Sequence, residues 1–292
     1  MNLKVLGLGD NVADFYTHIN TIYPGGCSFN FAAYASMQGA DSNYMGIIGD
    51  DFAGRHIIQT AKDLNIGTER CRILHGETPL PAVKIEDGER IFVGANEHGV
   101  WEKPLILNQK DLSYMKNFDL IHTSLYSNME QNLEIISETD VPVSMDFGTT
   151  YSDSFFAYCC PHITFAIMSC AHISMEQMEL QIHNAHKFGA AYVIATRGAQ
   201  GAWFSDHGTI YHRDAHMVEA VDTMGAGDSF LTTFLLNFLN WKKSAPEAAT
   251  SEDSKAAILN ALDAASLFSA KVCGMEGSFG HGVNYVPDEI ID

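Results

Sequence analysis

The run Val221-Asp222-Thr223-Met224-Gly225-Ala226-Gly227-Asp228-Ser229-Phe230 sets small residues just ahead of a strongly apolar segment and places a carboxylate where the two meet. Small residues at Gly225, Ala226 and Gly227 let a backbone come close to an anion, and the free amides of the helix start that follows point at it with partial positive charge. Asp228 sits where a hydroxyl attacking phosphorus could lose its proton. The chemistry offered is phosphoryl transfer; the alternative is that Asp228 merely caps a helix, as aspartate often does.

Transfer to an alcohol also needs an acceptor held in line and a seat for the nucleotide. A carboxylate pairing with adjacent hydroxyls suits the first need, and the end of the first apolar strand offers Asp10, Asn11 and Asp14. Ligands of open α/β sheets bind at the carboxyl ends of the strands, which is where these residues fall. Asp10 and Asp14 are otherwise ordinary turn residues.

The elements that must position these groups alternate. Val5 to Gly9 reads as a strand, Asn30 to Gln38 as a small-faced helix ended by Gly39, Tyr44 to Ile48 as a strand, and Phe52 to Leu64 as a helix. Leu120 to Ser124, Val141 to Met145, Ile163 to Met168 and Tyr192 to Thr196 read as buried strands separated by helices, one opening on the capping box Ser174 to Gln177 and closing at Gly189. Such alternation implies a mainly parallel central sheet with helices on both faces. Phe15 to Tyr23 and Pro81 to Gly94 break it and read as strands outside that sheet, the second a hairpin turning at Asp87-Gly88. Phe230, Leu231, Phe234, Leu235, Phe238 and Leu239 make a wide apolar helical stripe that anchors the glycine turn. Trp241 to Ser254, with Pro246, reads as a connection to a final helix over Lys255 to Val272.

The glycine turn matches the DTxGAGD signature of the ribokinase/PfkB family, and Gly25-Gly26-Cys27-Ser28-Phe29-Asn30 matches its Gly-Gly and Asn signature. The chain therefore resembles that family from about Val5 to Ser278. The resemblance implies a ribokinase-like α/β fold over 1–292, with a small lid of strands at about 15–23 and 81–94 that covers the sugar and often makes a homodimer contact. It implies Asp228 as the catalytic base, the Gly225, Ala226 and Gly227 amides as an anion hole, and Asp14, Gly25, Gly26 and Asn30 around the sugar. Thr196-Arg197-Gly198-Ala199-Gln200-Gly201 resembles the family's TxGxxG turn along the ATP phosphates, with Arg197 adding a charge-assisted contact; the plain reading is a glycine hairpin, and one turn can do both. Asp222 resembles the ligand of a monovalent cation such as K⁺ in some members, or it braces the turn. ATP and Mg²⁺ are the implied cofactors.

Two departures matter. Cys27 stands where a ribokinase usually has lysine, and Ser169-Cys170-Ala171-His172 stands where the family often has Asn-x-x-Glu around hydrated Mg²⁺. The segment Gly9 to Tyr16 followed by Tyr23-Pro24-Gly25-Gly26 resembles instead the fructoselysine 6-kinase branch. That implies the 6-hydroxyl of an Amadori sugar–amino acid as acceptor. Glu97, just after the hairpin, is a candidate partner for its secondary amine and equally readable as a solvated lid charge, and Arg90 is a candidate for its carboxylate, with pairing to a neighbouring Glu on the hairpin as the plainer reading. A kinase for fructose, ribose, a ketodeoxy sugar acid or a nucleoside, or a sugar-binding regulator of the same fold, are the alternatives.

Bulk properties limit the partners. With 292 residues, 46% of them hydrophobic, the chain can bury a large core. Its 17 basic against 36 acidic residues give −19, which repels nucleic acid and anionic membranes. No apolar run reaches about 18 residues and the first residues lack a signal-peptide pattern, so a cytoplasmic protein is expected. The six cysteines show no CxxC pair and read as reduced thiols, and His183 and His186 lack the carboxylate–histidine pattern of a zinc site. Gly7-Leu8-Gly9 fails as a dinucleotide fingerprint because Val12 occupies the third glycine position, and no Walker A loop exists.

Overall fold

Short runs rich in Val, Ile, Leu and Ala can be buried on both faces, and in the computed structural model, which describes residues 3–86, 89–96, 98–246 and 248–286, they are. The main strands in chain order are β1 (Lys4–Gly9), β4 (Asp41–Gly49), β5 (Arg72–Leu74), β8 (Leu120–Ser124), β9 (Val143–Asp146), β10 (Phe165–Ser169), β11 (Tyr192–Thr196), β12 (Ala202–Ser205) and β13 (Ile210–Arg213). Among the described residues they form a nine-stranded sheet ordered β13-β12-β11-β10-β9-β8-β1-β4-β5, parallel except for β12 and β13 at one edge. Side chains alternate across the pleat: Leu6 and Leu8 join one apolar cluster and Val5 another on the opposite face.

The first face is covered by α3 (Gln109–Met115), α4 (Leu133–Ser137), α5 (Asp153–Cys159) and α6 (Met175–Lys187), the second by α1 (Cys27–Met37), α7 (Ala226–Ser244) and α8 (Ser251–Val272). A third cluster packs α1 against α2 (Phe52–Asp63) and β4. Helix α6 begins as its capping box requires, with Ser174 Oγ accepting from Gln177 N at 3.2 Å and Gln177 Oε1 accepting from Ser174 N at 2.9 Å. Among the described residues no helix is long and apolar enough to cross a membrane.

The second sheet holds β2 (Val12–Tyr16), β3 (Thr21–Gly25), β6 (Pro81–Glu86), β7 (Glu89–Ala95) and β14 (Val283–Asn284), in the order β14-β3-β2-β6-β7. The two interruptions of the alternation thus pair with each other, β2 lying parallel to β6. The expected β6–β7 hairpin forms, with a shift of register between Ala82 and Val83, while its turn residues Asp87 and Gly88 lie outside the described residues.

Several boundaries shift for local reasons. Helix α1 starts at Cys27 rather than Asn30, because Gly26 adopts φ 100° and turns the chain into it. Strands β9 and β10 start two residues later than expected, after Pro142, which has no N–H to give a ladder, and after Ile163. The connection expected over Trp241 to Ser254 shrinks from both ends. Trp241 packs against the α7 cluster and prolongs that helix, and Thr250 with Asp253 builds a capping box that starts α8 early.

Candidate active site

The strand order brings the site together. Strand β1 has β4 on one side and β8 on the other, so the chain leaves it in opposite directions, and the crevice beyond its carboxyl end is where ligands of such sheets bind. A cavity of about 510 Å³ lies there, closed above by lid residues such as Pro81 and Phe92. Of the residues expected to hold substrate, Asp10, Asn11, Asp14, Gly26 and Asn30 line it, and so does Asp228, the expected base, while Gly25 is not among the lining residues.

Asp228 is delivered by α7. Gly225 precedes the helix at φ 72°, a left-handed turn in which a side chain would also collide with Tyr34 Oη, 2.2 Å from an added Cβ. Ala226 N–H donates to Thr223 O at 3.3 Å, whereas among the described residues no acceptor within the protein meets the N–H of Gly227 or Asp228. Two first-turn amides therefore stay open beside the carboxylate. Burial first, then the negative neighbours Asp146 and Asp10, push the Asp228 carboxyl up to about 7, against the lowering effect of hydrogen bonds from Asn30 and Cys27. A carboxyl near neutrality suits a general base.

Asn30 Nδ2 donates to Asp228 Oδ2 at 2.7 Å and to Ser278 Oγ at 3.3 Å. Asn11 Nδ2 donates to Tyr44 Oη at 2.8 Å and to Ile47 O at 2.7 Å. Both amides are buried with their donors aimed into the protein, and both Oδ1 atoms are left without a hydrogen-bond partner. An unsatisfied buried acceptor is costly unless something meets it, and both residues line the cavity.

The glycine pair makes room for its neighbours. A Cβ on Gly25 would lie 2.3 Å from Asp14 Oδ2, and one on Gly26 would lie 2.6 Å from Asn11 Cα. Asp10 plays a different part. Its Oδ1 accepts from Ser28 N (3.1 Å), Ser28 Oγ (2.8 Å), Ser124 Oγ (2.9 Å) and Ser127 Oγ (2.7 Å), so it caps α1 from a distance and ties β1 to the end of β8. Ser124 and Ser127 carried no motif that pointed to them.

Asp146 was also missed. It ends β9, and its carboxylate, Asp228 and the Cys27 thiol offer donor atoms within 4.8 Å of one another. Burial pushes the Asp146 carboxyl up to about 6, with Asp10 adding to it, and burial beside Asp228 pushes the Cys27 thiol well up. The two carboxylates suit a hard cation such as Mg²⁺, and the protonated thiol does not. A carboxylate at the carboxyl end of a buried parallel strand was the available signal.

The turn from Thr196 to Gly201 joins β11 to β12 as a hairpin, with Arg197 N donating to Gly201 O at 2.9 Å. Gly198, at φ 56°, faces open space, and Gly201 must be glycine because a Cβ would lie 2.0 Å from Arg213 O. Arg197 is not where a phosphate contact needs it. The side chain is buried, Nη1 donates to Cys170 O (2.8 Å) and Ile173 O (2.6 Å), and Nε donates to Gln200 Oε1 (2.7 Å). It braces the loop after β10. Asp222 likewise braces: Oδ1 accepts from Met224 N at 2.9 Å, and Oδ2 accepts from Gly277 N at 3.1 Å and from Tyr16 Oη. Glu97 and the side chain of Arg90 lie outside the described residues.

Comparison with known proteins agrees with this geometry. The profile of the pfkB family carbohydrate kinases matches residues 11–277. The chain is 36% identical over 285 residues to the fructosamine kinase FrlD of Bacillus subtilis (strain 168), covering 97% of this chain and 95% of that protein. It is 27% identical over 228 residues to fructoselysine 6-kinase of Escherichia coli (strain K12), covering 78% and 86%. Arabidopsis thaliana ribokinase complexed with ribose and ATP has the same fold, with TM-score 0.75 at 18% identity over 96% of each chain. Fructokinase with bound ATP from Xylella fastidiosa gives TM-score 0.77 at 15% identity, covering 96% of this chain and 95% of that one. With a family profile spanning most of its length and a full-length relative above 30% identity, this chain belongs to the pfkB family of carbohydrate kinases, phosphotransferases with an alcohol group as acceptor.

Proposed function

We propose that the protein transfers the γ-phosphoryl group of ATP to the 6-hydroxyl of a fructosamine, fructoselysine or a related Amadori sugar–amino acid. The observation that carries the reaction is Asp228 beside two open amides at the floor of a cavity whose buried Asn11 and Asn30 acceptors have no partner in the protein. The acceptor is argued from likeness to the fructosamine kinase FrlD and fructoselysine 6-kinase, and from the acidic cavity floor, which suits a cationic amine better than a neutral sugar requires.

In this reading Asp14 and the Oδ1 atoms of Asn11 and Asn30 take substrate hydroxyls, with Gly25 and Gly26 leaving them space. Asp10 holds the crevice in shape through its serines. The sugar oxygen bonds to the γ-phosphorus as Asp228 takes its proton, the bond from phosphorus to the β–γ bridging oxygen breaks, and ADP leaves with that electron pair. The open amides beginning at Gly227 meet the charge on the transferring group, with Gly225 and Ala226 shaping the turn. The nucleotide lies along the turn of Thr196, Gly198 and Gly201, positioned by Arg197 from behind. Mg²⁺ enters as part of the ATP substrate, and the Asp146 carboxylate is the donor this chain offers it. Asp222, whose two carboxylate oxygens accept hydrogen bonds from Met224, Gly277 and Tyr16, braces the turn.

The test is ADP release by the purified protein with ATP and Mg²⁺ over fructoselysine, glucoselysine, fructose, ribose, a ketodeoxy sugar acid and nucleosides. The highest kcat/KM is expected with fructoselysine, with phosphorus NMR locating the phosphate on O6. A higher kcat/KM with a free sugar or nucleoside overturns the acceptor; no sugar-dependent ADP release overturns catalysis.

A further inference from the structure

The cavity has two chemically different ends. Asp10, Asp14 and Asp228 make the inner end acidic. The rest of the lining includes two aromatic side chains, Phe92, 64% exposed, and the half-buried Trp101, and Lys103, while Tyr126 sits with the acidic groups. Lys103 is the one lysine or arginine among the described lining residues, it is exposed, and no carboxylate of the described residues forms an ion pair with it.

Its place in the fold decides which anion it can meet. Lys103 directly follows a 3-10 turn, Val100–Glu102, that packs against β4. The turn from Thr196 to Gly201 leaves β11, five strands away in the order β11-β10-β9-β8-β1-β4, or roughly 24 Å at the usual strand spacing. A lysine side chain does not bridge that gap, so the part of a nucleotide that lies on that turn is out of its reach. In the reading above the γ-phosphoryl group is met at Asp228 by the open amides, which leaves Lys103 for an anion that enters with the acceptor.

We propose that Lys103 is a specificity-determining residue that binds the α-carboxylate of the amino-acid part of the acceptor. The inference rests on the fructosamine reading above and deepens it. A fructosamine with its reactive hydroxyl at Asp228 points its amino-acid arm toward the mouth, where aromatic faces suit its aliphatic chain. The carboxylate then meets the ammonium of Lys103 in a charge-assisted contact. A free hexose has no group to use it.

The experiment compares two acceptors that differ in one group, fructoselysine and 1-(5-aminopentylamino)-1-deoxyfructose, which keeps the distal amino group and lacks only the carboxylate, in the wild type, Lys103→Met and Lys103→Arg. Expected in Lys103→Met is a rise of about ten-fold in KM for fructoselysine, with kcat and the KM of the aminopentylamino compound unchanged, and recovery in Lys103→Arg. Raised salt should increase the wild-type KM for fructoselysine and leave that of the methionine variant flat. An unchanged KM for fructoselysine in Lys103→Met, or an equal rise for both acceptors, overturns the proposal while leaving the reaction assignment standing. Wild-type enzyme that turns over neither fructosamine but does phosphorylate a free sugar overturns the reaction assignment, and the role of Lys103 falls with it.

Discussion

Asn30 Nδ2 and Asp228 Oδ2 are 2.7 Å apart, a hydrogen bond between residues separated by 198 positions that joins the first helix of the sheet to the helix carrying the base. The bond favours the ionised carboxylate, which burial and the nearby Asp146 and Asp10 oppose. Asp228→Asn should keep nucleotide binding and cut turnover by about 10²- to 10⁴-fold, the usual worth of a general base. Near-normal ADP release from that variant removes Asp228 from the mechanism.

The same balance sets the pH dependence. With Asp228 near 7 and Asp146 near 6, kcat/KM should rise with pH through neutrality as the pair loses its protons, with apparent values belonging to the pair. Asn30→Ala removes a donor to the ionised form and should move that limb to higher pH, whereas Asp146→Asn removes a negative neighbour and should move it lower. Limbs that stay put in both variants would show that another group controls the profile.

Stability should run the opposite way. An aspartate in the unfolded chain titrates near 3.9, so between about pH 4 and pH 7 the folded state holds more protons than the unfolded one. Its contribution is complete below that window and is lost as pH rises through it. Asp228→Asn should therefore raise Tm by about 2 °C or more at pH 8 and change it little near pH 3.5. Thermal unfolding at the two values checks this, and a variant less stable at pH 8 contradicts the sign.

Gly225 and Gly227 separate folding from function. A Cβ at Gly225 meets Tyr34 Oη at 2.2 Å and Ser278 Cβ at 2.9 Å from a left-handed backbone, while one at Gly227 meets nothing within 4 Å. Gly225→Ala should destabilise the fold by about 1–3 kcal/mol, measured by denaturant unfolding. Gly227→Ala should unfold like the wild type yet lose turnover about ten-fold or more, because its methyl enters the space left for the phosphoryl group. Wild-type turnover in Gly227→Ala would place that group elsewhere.

Asp14 and Gly25 form a second such pair. Asp14→Ala should raise the sugar KM about ten-fold through lost hydroxyl contacts. Gly25→Ala should do the same with Asp14 itself unchanged, since its Cβ would sit 2.3 Å from Asp14 Oδ2 and displace it. Steady-state kinetics in which only one of the two variants loses sugar affinity would break the link between them.

Much of this was legible beforehand where one local rule decided the outcome. The alternation of apolar runs and helices, the capping box at Ser174 and the glycine turn before the α7 stripe each depend on neighbours a few residues away. Asp146, Ser124 and Ser127 were not legible, because their meaning comes from which strand ends lie side by side. Strand β14, two residues long, has no periodicity to find and exists because β3 offers it an open edge. Arg197 carries the right charge beside the right turn, yet nearby carbonyls of the loop after β10 claim its guanidinium.

The amino-acid sequence by itself determined the reaction class, since a short turn of small residues ahead of an apolar helix can be recognised, with its base, from adjacent positions. Only the tertiary structure decided which carboxylates surround that base, which polar atoms stay unsatisfied around the cavity, and where the cation at its mouth stands. The physical reason is distance along the chain. Desolvation, charge coupling and orphaned hydrogen bonds arise between groups that meet only when the sheet order brings them together, and no local pattern in the chain records that meeting.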